Sequence, residues 1–217
     1  MKPDVKYSNQ RVGIFVDVQN LYHSAKNLYR GRVNYTELKK YLLGDRQLIR
    51  AMAYVVKSEG VEPQHGSARA DWLGERERDR ERTAPAVARS RAAAVASARA
   101  EESGELSSEA SFFEALEKAG FELRMKDLQI YAGGMKKADW DVGMAVDAIR
   151  MSSFLDVIIL VTGDGDFIPL VDYLKWGAGR LVEVAAFRRS ASSKIQEAAD
   201  RFVNIEDIPR AIMKSRV

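Results

Sequence analysis

The chain has 217 residues, 46% of them hydrophobic and 30% charged, with 34 basic against 31 acidic side chains and no cysteine. That length suits one domain with an insertion or two small domains, and the missing thiols exclude disulfides, cysteine–zinc sites and a thiol nucleophile. With only His23 and His65 present and a net charge of +3, histidine chemistry has little material, nucleic-acid binding does not follow from charge alone, and carboxylates are left to carry most of any catalysis.

Met1-Lys2-Pro3-Asp4 lacks the apolar run of a signal peptide, and the purest hydrophobic stretch, Val157 to Val161, is far short of a membrane span. The expectation is a soluble, cytoplasmic protein without membrane contact. Val12-Gly13-Ile14-Phe15-Val16 reads as a strand buried on both faces and ends at Asp17. A helix follows from about Gln19 to Tyr29, broken by Gly31, and a second from Tyr35 to Leu43, with Leu38, Tyr41 and Leu42 at helical spacing and Gly44 as its stop. Leu48 to Val56 is the next strand, favoured by Val55-Val56.

Further on, Ser111 to Ala119 forms a helix closed by Gly120, followed by a strand around Phe121 to Met125 and a short one over Leu128 to Tyr131 before Gly133-Gly134. Asp139 to Met151 is a helix with Trp140, Met144, Ala145, Ala148 and Ile149 on one side and Asp139 placed as its N-cap. Asp156 to Thr162 is a buried strand, Asp166 to Trp176 a helix, Arg180 to Phe187 the last strong strand and Ser193 to Asp200 a helix. Val203-Asn204-Ile205 and Ile208 to Lys214 finish the fold, with 209–217 as a helix end or tail. This alternation predicts a mainly parallel, doubly wound α/β sheet with helices on both faces.

Residues 65–110 break the pattern. They hold 12 Ala and 8 Arg but no Lys, Ile, Phe, Tyr or Met, and include the alternating run Glu75 to Arg82. High helix propensity with almost no apolar face predicts exposed helix or disorder, inserted between the second strand and the next helix. The segment carries a net charge of −1 and the remainder +4.

In an open parallel sheet, ligands bind beyond the carboxyl ends of the strands, where strand order reverses. Two strands here end in acid, at Asp17 and at Thr162-Gly163-Asp164-Gly165-Asp166. If they are neighbours, Asp17, Asp164 and Asp166 converge, and carboxylates so placed raise one another's pKa unless a cation neutralises them. Mg²⁺ or Mn²⁺, held by carboxylates, water and phosphate, suits such a set. Each acid also has a plain structural reading: Asp166 as the N-cap of a helix beginning Phe167-Ile168-Pro169, Asp164 as a turn residue, Asp141 as a favourable charge in the first turn of its helix. Asp139 and Asp141, about 200° apart on a helix, cannot both face the sheet edge; Asp141 is the better ligand candidate, and Asp147 a supporting or structural acid.

Phe15-Val16-Asp17-Val18-Gln19-Asn20, Lys137-Ala138-Asp139-Trp140-Asp141-Val142 with Ala145-Val146-Asp147, and Thr162-Gly163-Asp164-Gly165-Asp166-Phe167 resemble the three signature blocks of the NYN domain, of the PIN-like nuclease superfamily, and most of all its bacterial LabA-like branch. The resemblance covers about residues 10–62 and 110–208, so the domain is expected over 10–208, interrupted by 65–110. It implies a PIN-like three-layer α/β/α sandwich and a metal-dependent endoribonuclease. Asp17, Asp141, Asp164 and Asp166 match the acidic metal-binding set, and Asn20 the amide beside the first acid. The LabA-like branch is associated with regulatory roles, so a non-catalytic RNA- or protein-binding module that keeps the acidic pocket is the alternative. An aspartyl-phosphate phosphotransfer domain fits less well, because Val18 and Gln19 follow Asp17 where a second acid is favoured.

Lys136-Lys137, ahead of the acidic helix, and Arg188-Arg189, after the last strong strand, are candidate phosphate contacts, with solvated surface charge as the ordinary account of each. Ser193, with Ser190 and Ser192, begins a helix as a cap or phosphate contact. Tyr22 reads as core or as a base-stacking residue, and His23 as a polar surface residue. RNA is the expected partner, with homodimerisation left open.

Overall fold

The computed structural model describes residues 7–57, 108–127, 129–130, 136–137 and 140–214, with side chains left out at 127, 129–130 and 136–137. The chain divides into two compact units, Met1–Lys57 with Ala115–Val217, and Ser58–Glu114. Of the 65–110 segment only 108–110 are described, as the start of α3 (108–118); the remainder of that expected insertion lies outside the described residues. No helix among the described residues is long and apolar enough to cross a membrane.

The larger unit is built on a sheet of six strands: β1 (Arg11–Asp17), β3 (Gln47–Lys57), β4 (Glu122–Asp127), β7 (Val157–Val161), β8 (Leu181–Ala186) and β9 (Arg201–Asn204). Their order is β4-β3-β1-β7-β8-β9, and every ladder is parallel. The chain winds outward from β1 in one direction and from β7 in the other, so the strand order reverses between these two. Val16 pairs with Val161, which puts the residues following both strands side by side. The five residues of β7 are all buried, as a central parallel strand covered on both faces requires.

Side-chain alternation divides the core between the two faces. On one, Phe15, Met52, Tyr54, Ile158, Leu160, Val182 and Val184 pack with Met144 and Ala148 of α4 (Asp141–Ser152) and with Leu170 and Leu174. On the other lie the buried apolar residues of α1 (Val18–Tyr29) and α2 (Tyr35–Leu43), Leu21, Ala25, Leu38 and Leu42 among them. The result is the three-layer, PIN-like α/β sandwich expected from the sequence. Asp17 and Asn34 cap α1 and α2 through their side chains.

Several expectations change. The helix expected over Asp166–Trp176 is a 3₁₀ turn (Gly165–Phe167), a short α5 (Ile168–Asp172) and a π turn (Tyr173–Gly177). Pro169 cannot donate in its first turn, and at its end Ala178 N–H reaches back to Tyr173 O at 2.9 Å. In α4, Ile149 is exposed while Asp147 is buried, because the acid finds partners across the core. The short strand expected near Leu128 is β5 (Gln129–Ile130), paired antiparallel with β6 (Lys136–Lys137) away from the main sheet.

The end of the chain, expected as a helix end or tail, holds instead β10 (Ile212–Lys214), antiparallel to β2 (Gly31–Val33). Strands of three residues show no periodicity that a sequence pattern can reveal. The remaining helix, α6, spans Ser193–Ala198.

One charged pair is sealed into the core. Arg46 and Glu183 are 5% and 7% exposed; Arg46 Nη1 donates to Glu183 Oε1 at 2.7 Å and its other groups donate to the Leu42 and Leu43 carbonyls. This ties the end of α2 to β8. Glu183 Oε2 also stands 3.6 Å from Arg201 Nη1 of β9, so the carboxylate is shared: its removal takes a partner from two guanidinium groups, one of them buried. Glu183→Leu is therefore expected to cost about 3–5 kcal/mol, and the Arg46→Met/Glu183→Leu double variant to recover the part owed to Arg46 but not the part owed to Arg201, as read from urea unfolding curves.

Candidate active site

The switch point between β1 and β7 is occupied by carboxylates. Asp17 ends β1 and, as N-cap of α1, accepts the Asn20 backbone N–H on Oδ1 at 3.0 Å. Its Oδ2 accepts from Thr162 Oγ1 at 3.2 Å. Thr162 is fully buried just past β7, and the same Oγ1 accepts the Asp164 N–H at 3.2 Å. A hydroxyl has one proton to give; with Asp164 N–H as donor to it, that proton goes to Asp17. One threonine thus fixes one acid by its carboxylate and the other by its backbone.

Asp164 in turn caps the 3₁₀ turn, accepting Asp166 N–H on Oδ1 at 3.0 Å. The capping role considered for Asp166 therefore belongs to Asp164. The loop is held from both sides: Asn20 Oδ1 accepts Gly163 N–H at 3.1 Å, and Gly163 O accepts Ser192 N–H at 2.9 Å. A Cβ at Gly163 would stand 3.0 Å from Ala191 Cα, so the glycine lets these two loops meet.

The third acid arrives with α4. Trp140 precedes the helix, donates Nε1–H to Val55 O at 2.8 Å and packs edge-on against Tyr54 with ring centroids 5.5 Å apart. Its indole also covers Gly143, where a Cβ would stand 2.5 Å from the ring. This clamp sets the start of the helix, and Asp141, against the end of β3. Behind it, Tyr54 Oη donates to Asp147 Oδ2 at 3.1 Å, and Arg124 donates to both oxygens of the same carboxylate at 3.0–3.1 Å. Asp147 is thereby a structural acid, buried and fully engaged. Burial, followed by the Asp147 charge, pushes the Tyr54 hydroxyl above its ordinary pKa.

These elements enclose a cleft of about 300 Å³ lined by Asp17, Asp141, Asp164, Asn20, His23 and Tyr54, with Gln19, Ser24, Val56 and Trp140 completing it. Burial raises the Asp17 pKa against the lowering effect of its hydrogen bonds from Asn20 and Thr162, and the nearby Asp164 charge raises it further. Two partly dehydrated carboxylates facing each other are an electrostatic cost that a cation relieves.

The structure distributes the sequence candidates unevenly. Asp17, Asp141, Asp164 and Asn20 share the cleft, while Asp166 is exposed and outside its lining. Among the described residues, no three His, Asp or Glu side chains stand close enough to form a ready-made metal cage. Arg188, Arg189 and Ser193 are exposed and do not line the cleft. Arg188 lies 5.3 Å over the Phe202 ring, and Arg189 interacts with the Tyr29 hydroxyl, as Glu206 does. The Lys136 and Lys137 side chains and residue 139 lie outside the described residues. Tyr54, Trp140 and Thr162 went unassigned from the sequence, and the first two had no local signal, since distant strand pairing places them. His23, read as plain surface, is a cleft wall, and Tyr22 is exposed, not core.

A parallel α/β sandwich with carboxylates gathered at its switch point defines a PIN-like class of domain. The sequence profile of the NYN domain matches residues 11–206, and the chain belongs to that family, one of the PIN-like nuclease families. The crystal structure of a Vibrio parahaemolyticus protein of unknown function is similar, with a TM-score of 0.66 and 26% sequence identity over 98% of this chain and 100% of that one. No curated protein matches the chain.

Thr162→Val removes both the donor to Asp17 and the acceptor for Asp164 and is expected to cost about 1–3 kcal/mol, the penalty of buried polar groups left unpaired. Thr162→Ser keeps the hydroxyl and is expected to cost about 0.8 kcal/mol for one methyl. Chemical denaturation of the two variants beside wild type reads the difference.

Proposed function

We propose that this chain is a metal-dependent endoribonuclease of the LabA-like NYN type, hydrolysing RNA phosphodiester bonds at the β1–β7 switch point. The observation that supports it most is that Asp17, Asp141 and Asp164, supplied by three separate elements, line one cleft. The proposed ligands of Mg²⁺ or Mn²⁺ are these three carboxylates, with Asp166 completing the set at the cleft's outer side. Their hard oxygen donors fit such an ion, which keeps waters and substrate phosphate among its ligands, so that one or two of these acids would bind it directly and the others through water. Such an ion, if held there, would lower the pKa of a bound water and neutralise charge on the phosphate.

The chain's own groups do the positioning. Thr162 and the Asn20 N–H hold the Asp17 carboxylate in a fixed rotamer, and Asp166 N–H does the same for Asp164. Asn20 belongs to this framework through Gly163. The Trp140 clamp brings Asp141 in from the far wall and leaves the cleft open to a strand of RNA. Arg188, Arg189, Lys136, Lys137 and Ser193 are proposed as outlying backbone contacts.

That no three His, Asp or Glu side chains among the described residues form a ready-made metal cage favours a second reading, a regulatory module that binds RNA or a protein in this cleft without turnover. Incubation of the purified protein with single-stranded RNA and Mn²⁺ separates the two. Cleavage that stops in EDTA and falls at least about a hundredfold in the Asp17→Asn/Asp164→Asn variant is expected, as several kcal/mol of charge stabilisation are lost. Equal cleavage by variant and wild type overturns the proposal, and RNA binding with no cleavage under any divalent metal selects the regulatory reading.

A further inference from the structure

The acid chemistry leaves one part of the cleft's rim without a role. On α1, Val18, Leu21 and Ala25 are buried, while Asn20, His23 and Ser24 line the cleft. Tyr22 and Lys26, four residues apart, share the flank beyond them. Tyr22 is 45% exposed. Its ring meets His23 edge-on, with centroids 5.5 Å apart and planes at 76°, and Lys26 Nζ stands 5.5 Å from its centre. A lone tyrosine on a helix surface needs no explanation. This one is joined to a second ring that is itself a wall of the carboxylate cleft, and to a cation.

On the reading that this cleft acts on RNA, we propose that Tyr22 and His23 form a base-stacking ledge for an unpaired nucleobase of single-stranded RNA, with Lys26 taking a neighbouring phosphate. The physical need is specific to an acid-lined cleft. Asp17, Asp141 and Asp164 repel the phosphate backbone, so affinity from an uncharged contact at the rim holds the strand without crowding more charge into the site. A phenol ring presents its face to any base, which makes the contact tolerant of sequence. The base must be splayed out to reach it, so a continuous duplex cannot use the ledge. Lys26 is no obstacle: its ammonium, on a flexible stem, exchanges the ring for a phosphate. The edge-on His23 contact holds the Tyr22 ring in place against the cleft wall.

The test is binding of a short fluorescein-labelled oligouridylate, followed by fluorescence anisotropy in EDTA so that no metal-dependent turnover intervenes. Tyr22→Ala is expected to raise Kd about 5- to 150-fold, the range for loss of one stacked base, and Tyr22→Phe to leave it unchanged. Lys26→Gln is expected to reduce the salt dependence of binding by about one phosphate contact. An RNA duplex of equal length is expected to bind wild type and Tyr22→Ala alike. An alanine variant within about twofold of wild type, below any stacking loss, overturns the ledge. So does an equal loss on duplex, or a wild type that binds no single-stranded RNA. Cleavage of the same oligonucleotide in Mn²⁺ keeps the two readings apart. Cleavage without a Tyr22 effect on binding removes the ledge alone, and Tyr22-dependent binding without cleavage removes the endoribonuclease alone.

Discussion

The site rests on a hydroxyl. Two buried parallel strands, β1 and β7, run side by side and both lead into acids, so the fold brings like charges together where water is scarce. Thr162, fully buried, gives its proton to Asp17 and accepts the N–H of Asp164, which fixes the two acids relative to each other without neutralising either. Asn20 and the Ser192 N–H then hold the loop from its two sides. The remaining frustration is electrostatic: burial and the Asp164 charge both raise the Asp17 pKa. On the proposed function, a divalent cation held by these carboxylates would relieve that repulsion.

The walls of the cleft follow a different logic. Asp141 sits at the start of a helix with no side-chain cap, and its position depends on the indole before it. Trp140 is held by a backbone carbonyl of β3, by Tyr54 and by the space that Gly143 leaves. Tyr54 is held in turn by Asp147 and Arg124. An acid in the helix interior, an arginine on β4 and a tyrosine on β3, far from one another in sequence, therefore act together behind the start of the helix that carries Asp141.

Much of this is legible in the amino-acid sequence. The continuous apolar runs of β1 and β7, each closed by aspartate, announce central parallel strands and place acids at their carboxyl ends, and Gly44 and Tyr35 mark α2 to the residue. What stayed hidden depends on tertiary context. β2 and β10 are three residues each and owe their conformation to pairing with each other. Asp166 looked like a cap because Pro169 follows it, yet the earlier turn at Gly165 hands that role to Asp164. The exposed candidates Arg188 and Arg189 follow a strand end as active-site residues do, but the loop carries them toward Phe202 and Tyr29. Tyr54 lies in a strand that reads as plain core, and only strand order shows that it borders the cleft.

The carboxylates of the β1–β7 switch point are proposed as a divalent-cation site, and direct titration of the purified protein with Mn²⁺, by calorimetry or electron paramagnetic resonance, tests this without reference to any substrate. Saturable binding by wild type is expected, weakened at least about a hundredfold in Asp17→Asn/Asp164→Asn, more than loss of a merely supporting hydrogen bond costs. A wild-type protein that binds no Mn²⁺, or a double variant that binds it as well as wild type, would contradict it.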